Sequence, residues 1–351
     1  NRLNKAELER FIKEGINSTR FLAEDKFRTL PDSSFYYKGG GVPLDLIDPS
    51  FDSINPDDKV GLAMKVCEEI YGKDKRIISS NGSYGDEKSF KYMVASNGFE
   101  GESANSSFTL VGNVSIKGEG DARPESYWYD SSIYYNELQK DGIGTKSIER
   151  VRQKLGQQKI ASGKYAMVVD NMNSSRLLSP VIGALYGSAI QQKNSFLLDK
   201  QDKLVLGSNV TIKDEPHLVK AEGARYFDNE GVATTPRAIF NEGVLNTYFI
   251  DTYNANKMQV KSTISSPSIL TMQHGMKDVN GLVASLGKGI LVTGFNGGNC
   301  NSTTGDFSYG IEGFHIENGK TTQPISEMNV TGNMITLWNN LSEAGNDIRK
   351  S

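Results

Sequence analysis

Three histidines, His217, His274 and His315, and two cysteines, Cys67 and Cys300, are all that this 351-residue sequence offers for imidazole or thiol chemistry. They lie far apart, and no second His or Cys stands at a zinc-ligand spacing from any of the histidines, so the chain has little with which to build its own metal site. A Ser/His/Asp arrangement can be drawn from Ser308, His315 and Asp306, yet no G-x-S-x-G elbow accompanies it. His315 sits in the strand-like run Phe314-His315-Ile316, where a satisfied structural histidine is commoner than a catalyst. His217 belongs to Asp214-Glu215-Pro216-His217, a turn composition that marks a surface loop. Phosphate cradling fails at residues 281–289: the glycine spacing is one residue too long, and Gly289 stands where Ser or Thr must hold magnesium.

The densest unusual segment runs from Gly294 to Gly310 and includes Asn296, Gly297, Gly298, Asn299, Cys300, Thr304, Gly305 and Asp306. Glycines and small polar residues let backbone amides approach a ligand closely and adopt positive φ. Two readings stand: this segment lines a cleft, or it supplies the turns of a hairpin-rich β domain.

Charge and composition narrow the classes of partner. Lys and Arg total 39 against 42 Asp and Glu, a net charge of −3, which argues against a strongly electrostatic binder of nucleic acid or membrane surface. Hydrophobic residues at 37% can bury a real core, and no stretch reaches the ~18 apolar residues of a membrane span. The charged opening segment, residues 1–10, does not read as a secretory signal, so the expected location is the cytoplasm. Two cysteines make no disulfide framework; reduced thiols are the expectation, with one lone pairing open.

The elements that must position these residues are legible in outline. Asn4 caps a first helix with Glu7 three residues on, and Leu8, Phe11, Ile12, Ile16 and Ala23 predict one buried face. Residues 30–53, rich in Gly and Pro, read as a long exposed connection. Asn55 and Pro56 open a second helix whose apolar stripe is Val60, Ala63, Met64, Cys67, Ile70 and Tyr71, which makes Cys67 core packing. Period two then predicts strands over 76–84, 88–96 and 106–117, turned at Asn81-Gly82 and Asn97-Gly98, and a third helix over 145–155 ends at Gly156.

A buried strand over 165–169 and a helix over 173–192 follow, then strands with turns at Asn241-Glu242-Gly243 and Asn318-Gly319. The expected fold is α+β: N-terminal helices with an antiparallel sheet over residues 1–156, then a β-rich C-terminal domain over 157–351 opened by the buried strand and helix.

Asp214-Glu215-Pro216-His217, Phe227-Asp228-Asn229-Glu230-Gly231-Val232, Asp251-Thr252-Tyr253-Asn254-Ala255, Thr304-Gly305-Asp306-Phe307-Ser308-Tyr309-Gly310, Ile316-Glu317-Asn318-Gly319 and Pro324-Ile325-Ser326-Glu327 occur in this order. The series resembles the signature of the modulator of DNA gyrase family, TldD/PmbA, closely over residues 146–347. The resemblance also implies that the family's usual opening portion and a short closing tail are missing. In that family the TldD type resembles a zinc peptidase, with an H-E-x-x-x-H helix supplying two ligands and a base.

With Leu177-Leu178 and Gly183 aligned to that motif, Ser179, Pro180 and Ala184 stand where the first ligand, base and second ligand would be, and none can serve. Loss of two protein ligands forfeits most of an affinity on the order of 10 kcal/mol in structural zinc sites. The chain therefore resembles the PmbA/TldE-type subunit: no cofactor of its own, zinc only in a TldD-like partner, and a dimer with that partner or with itself. The resemblance implies that Asn296, Gly297, Gly298, Asn299, Thr304, Gly305 and Asp306 help line a cleft for an extended peptide. The alternatives are a regulatory protein-binding module, as the family's historical name suggests, and an autonomous hydrolase using Asp306, Ser308 or Cys300 with a histidine.

Overall fold

The computed structural model describes residues 4–349; residues 1–3 of the charged opening segment and residues 350–351 lie outside the described residues. Helix α1 (Lys5–Thr19) begins as its cap dictates, the Asn4 side chain accepting from the Glu7 backbone N–H at 2.9 Å. The buried face expected of it is corrected. No residue of α1 is buried, Phe11 is 73% exposed, and Ala23 lies beyond the helix. Periodicity selects the side a helix would cover, but a covering element must also be there, and none of the described residues provides it.

Residues 30–53 are for the most part exposed, as their composition predicts, but they are anchored to the rest of the chain at several points. Tyr36 and Leu44 are buried, Tyr36 bridges Val232, and Ala233 and Lys220 donate backbone N–H groups to Phe35 and Leu44. Buried Asp48 ties the segment down further, accepting from the Tyr135 N–H at 2.7 Å while its own N–H donates to Ser106 Oγ. Gly39, Gly40, Gly41, Pro43 and Pro49 lie exposed between these anchor points, and Pro31 alone among the Gly and Pro residues of the segment is buried.

Helix α2 (Pro56–Ile70) starts at the Asn55 cap; of the expected stripe Ile70 is buried and Ala63 and Cys67 are half-buried, but Val60, Met64 and Tyr71 are exposed, while Val66 is buried and Leu62 packs beside it. The reason lies in the sheet beneath it. Strand β1 (Ile77–Val94) runs unbroken through Asn81-Gly82, where a turn was expected, and pairs antiparallel with β2 (Glu100–Ile116), which pairs with β3 (Glu125–Ser132). Gly82 faces Gly112 across the ladder, and a side chain on Gly82 would collide with the Ala63 carbonyl. The glycine pair thus marks where a helix backbone approaches the sheet, not a reversal of the chain. Asn97-Gly98 does turn, with Gly98 at φ 102° and its N–H donating to Ala95. Helix α3 (Ile143–Gln153) packs beside α2, and Gly144 again has no room for a side chain, against the Val66 carbonyl.

The C-terminal part is β-rich. Strand β4 (Met167–Val169) leads to helices α4 (Ser175–Gly183) and α5 (Gly187–Gln191), two helices where the apolar spacing predicts one. Tyr186 is extended between them because Leu185 and Gly187 pair with the backbone of Phe249, a long-range contact that outweighs helix continuity. Strands β5 (Ile212–Asp214), β6 (Arg237–Asn241), β7 (Val244–Leu245) and β8 (Leu270–Met272) form one sheet in the order β7-β6-β5-β8. Helix α6 (Thr252–Met258) follows β7, and α7 (Val279–Leu286) precedes β9 (Gly289–Cys300).

Strand β9, β10 (Asp306–Glu317) and β11 (Lys320–Asn333) form with β4 a second sheet in the order β11-β10-β9-β4, and α8 (Met334–Asn339) closes the chain. The Glu242-Gly243 and Asn318-Gly319 turns have positive φ at both residues, as two-residue hairpin turns require. The largest core runs between these sheets and α4, with Val181, Leu185, Phe240, Phe249, Phe307 and Tyr309 buried in it.

Candidate functional site: a cleft along the free edge of β9

The segment with the unusual glycines is a strand hairpin, β9 and β10, rather than a loop. Its outer edge decides what the molecule presents. β4 pairs with β9 only over residues 290–292, so from Thr293 onward that edge has no neighbouring strand among the described residues. Helix α4 stands over it instead, held by the turn that precedes it. Asp170 donates its N–H to Val292 and accepts from the Asn173 N–H and side chain, while Asn173 Nδ2 also donates to the Thr293 carbonyl at 2.9 Å. Arg150 of α3 reaches the same Asp170 at 3.5 Å.

Between helix and edge lies a cleft of about 520 Å³ lined by Met172, Asn173, Ser175, Arg176, Ser179, Pro180, Phe295, Gly297 and Tyr309. The wall on the strand side is a β-bulge: Asn299 opposes Ser308 and Asn296 opposes Gly310, which leaves Gly297 and Gly298 together against Tyr309. Both have positive φ, 67° and 81°, and both carbonyls accept from Arg176 Nη2, at 3.3 and 3.0 Å. The guanidinium also lies over the Tyr309 ring, 4.7 Å from its centroid, and Tyr309 meets Phe295 edge-on at 5.7 Å. The cleft therefore joins an apolar floor to one cation. No carboxylate lines it, and among the described residues none lies within ion-pair distance of Arg176.

Of the residues singled out for the cleft, only Gly297 lines it. Gly298 completes the bulge, and Asn296 and Asn299 flank it in the ladder. Thr304, Gly305 and Asp306 gather at the hairpin tip: Thr304 Oγ1 donates to Asp306, Asn333 Nδ2 donates to both, and Gly305 lies against Phe196. Those hydrogen bonds from Asn333 and Thr304 hold the Asp306 carboxyl below the usual carboxylate range. Arg176, Ser175 and Asn173 escape sequence reasoning. A lone cation in the first turn of the motif-bearing helix is the signal that could have found Arg176.

The hydrolase constellation is not assembled. Ser308 and His315 are seven residues apart on one strand, roughly 23 Å at ~3.3 Å per residue, and on opposite faces. Burial and the nearby Asp306 charge push the Cys300 thiol up. His217 is half-buried, with Nε2 3.0 Å from Thr234 Oγ1; His274 Nδ1 meets the Gly275 carbonyl; His315 packs edge-on to Tyr165. Among the described residues no three His, Cys, Asp or Glu side chains form a group able to hold a metal ion. Ser179 turns its hydroxyl back to the Ser175 carbonyl, and Ala184 is buried. No described helix is long and apolar enough to cross a membrane.

The ordered acidic motifs are staples rather than parts of the cleft. Buried Asp214 accepts from the Ser268 and Ile269 N–H groups. Asp228 accepts from Glu230, Val232 and Ser265, and Asp251 caps α6.

Residues 162–351 match the PmbA/TldA metallopeptidase C-terminal domain, and residues 49–155 match the central domain of the same proteins. Metalloprotease PmbA of Escherichia coli O157:H7 is 27% identical over 99% of this chain and 77% of its own length. The Metalloprotease PmbA homolog of Haemophilus influenzae is 30% identical over 84% of this chain and 66% of its own. A crystal structure of a candidate modulator of DNA gyrase from Bacteroides thetaiotaomicron is 64% identical. It superposes with a TM-score of 0.98 over 100% of this chain and 80% of the other.

Proposed function

Given that the chain belongs to the PmbA/TldD metallopeptidase family, we propose that it is a binding member of that family which carries no metal of its own. In this reading the cleft takes an extended segment of another polypeptide along the unpaired edge of β9, where main-chain hydrogen bonds supply affinity and the Phe295 and Tyr309 rings receive a side chain. The observation that carries it is the juxtaposition of an open strand edge with a helix that retains its place but has Ser179, Pro180 and Ala184 where metal-holding residues would be needed.

Two settings for such a module differ in partner. In the first it is one half of a cytoplasmic peptide-processing assembly, paired with a TldD-like subunit that supplies zinc. In the second it regulates a partner protein by binding alone, and the description of the Bacteroides relative as a candidate DNA gyrase modulator favours this setting. Near-neutral charge balance favours protein contact over direct DNA contact in either case.

Metal analysis and peptide cleavage separate the settings. The purified chain should carry less than about 0.1 zinc per molecule, on the expectation that an isolated site lacks its ligands. If it belongs to an assembly, unfolded peptides are cleaved only after a TldD-like subunit is added; a pure regulator binds its partner protein and adds nothing to cleavage. Robust cleavage by the chain alone would overturn both.

A further inference from the structure

We propose that Arg176 is a carboxylate anchor, and that the polypeptide it receives ends in the cleft with a free C-terminus. This rests on the reading of the cleft as a strand-binding site and names the group that site selects. The Arg176 side chain is held from two sides, by the Gly297 and Gly298 carbonyls on Nη2 and by the Tyr309 ring beneath the guanidinium plane. Among the described residues nothing else hydrogen-bonds to it, so Nε and Nη1 keep donors for a ligand, and no acid neutralises its charge. A planar fork with open donors suits a carboxylate, which accepts two parallel N–H bonds. The hydroxyl of Ser175, which also lines the cleft, adds a donor that has no partner among the described residues.

The terminal carboxylate is favoured over an acidic side chain by the bulge. A strand added to the β9 edge finds regular backbone only over residues 294–296, between a first bulge at Thr293, whose carbonyl already accepts from Asn173, and the two carbonyls engaged by Arg176. Pairing stops there, which is where a chain end fits and a continuing chain does not.

The test uses the full chain and a fluorescein-labelled Thr-Val-Thr-Val-Thr-Val hexapeptide in three forms: free acid, C-terminal amide, and amide with a penultimate Glu. Fluorescence polarisation should show the free acid at least about tenfold tighter than either amide, with the preference abolished in Arg176→Gln and reduced in Arg176→Lys, which keeps charge but not the fork. Unchanged thermal midpoints certify that the variants fold. A second readout follows the Arg176 side-chain Nε–H signal by NMR on addition of N-acetylvaline or its amide.

Equal binding of acid and amide, untouched by Arg176→Gln, overturns the anchor and leaves the strand-binding reading standing. A preference for the Glu-containing amide overturns the assignment to a chain end. If no hexapeptide binds but N-acetylvaline alone shifts Arg176, the anchor stands and strand binding falls. Silence in both measurements overturns both.

Discussion

Gly298 lies so close to Ser308 that a side-chain carbon added to it would run into the Ser308 carbonyl oxygen, whereas one added to its neighbour Gly297 would meet open space. Both occupy left-handed backbone. Gly297→Ala should therefore cost about 1 kcal/mol, the conformational penalty alone, and Gly298→Ala about 3 kcal/mol because overpacking adds to it. Urea denaturation measures the difference; equal costs would contradict the bulge.

Glu230 is half-buried beside Asp228 and Asp251, and this partial burial is the main reason its carboxyl is raised above the usual value of 4.5. A raised folded pKa means the native state binds more protons, so this group's contribution is complete below the unfolded value and lost as pH rises through the folded one. Glu230→Gln keeps an acceptor for Thr252, which now donates its N–H and hydroxyl to Glu230 at 2.9 Å. The stability of Glu230→Gln relative to wild type should therefore rise with pH above 4.5. A flat difference in urea midpoints from pH 4 to 7 would contradict this.

Cys300 should be a poor nucleophile. With its thiol pushed up by burial and by Asp306, the thiolate is scarce at neutral pH. Its reaction with a disulfide reagent at pH 7 should be at least about tenfold slower than that of free cysteine and should accelerate on going to pH 9. Cys67→Ser isolates the signal. Fast labelling at pH 7 would reopen thiol chemistry at the hairpin.

The apolar face of α1, exposed along its length, should contribute little to the stability of the isolated chain. Phe11→Ala and Ile16→Ala should each change it by less than about 0.5 kcal/mol, while Ile70→Ala, in the core under α2, should cost about 2–5 kcal/mol. Thermal melts of the three variants decide the matter.

Much of the local chemistry was legible in the sequence. The Asn4 and Asn55 caps, the Asn97-Gly98, Glu242-Gly243 and Asn318-Gly319 turns, and the α+β order of elements depend on a few adjacent residues, and the structure has them where the sequence puts them. The resemblance puts Ser179, Pro180 and Ala184 at the metal-holding positions, and these side chains offer no imidazole, thiolate or carboxylate whatever surrounds them.

Tertiary structure decided the rest. Asn81-Gly82 has the composition of a turn, yet the approach of α2 makes that glycine a strand residue; the 173–192 helix breaks at Tyr186 because Phe249 competes for its backbone. The Arg176 contact joins residues more than a hundred positions apart, across a bulge whose register is set by β10. Sequence spacing records what neighbours along the chain prefer, while a cleft is made by which distant backbones come close enough to exclude, or leave open, a hydrogen-bonding edge.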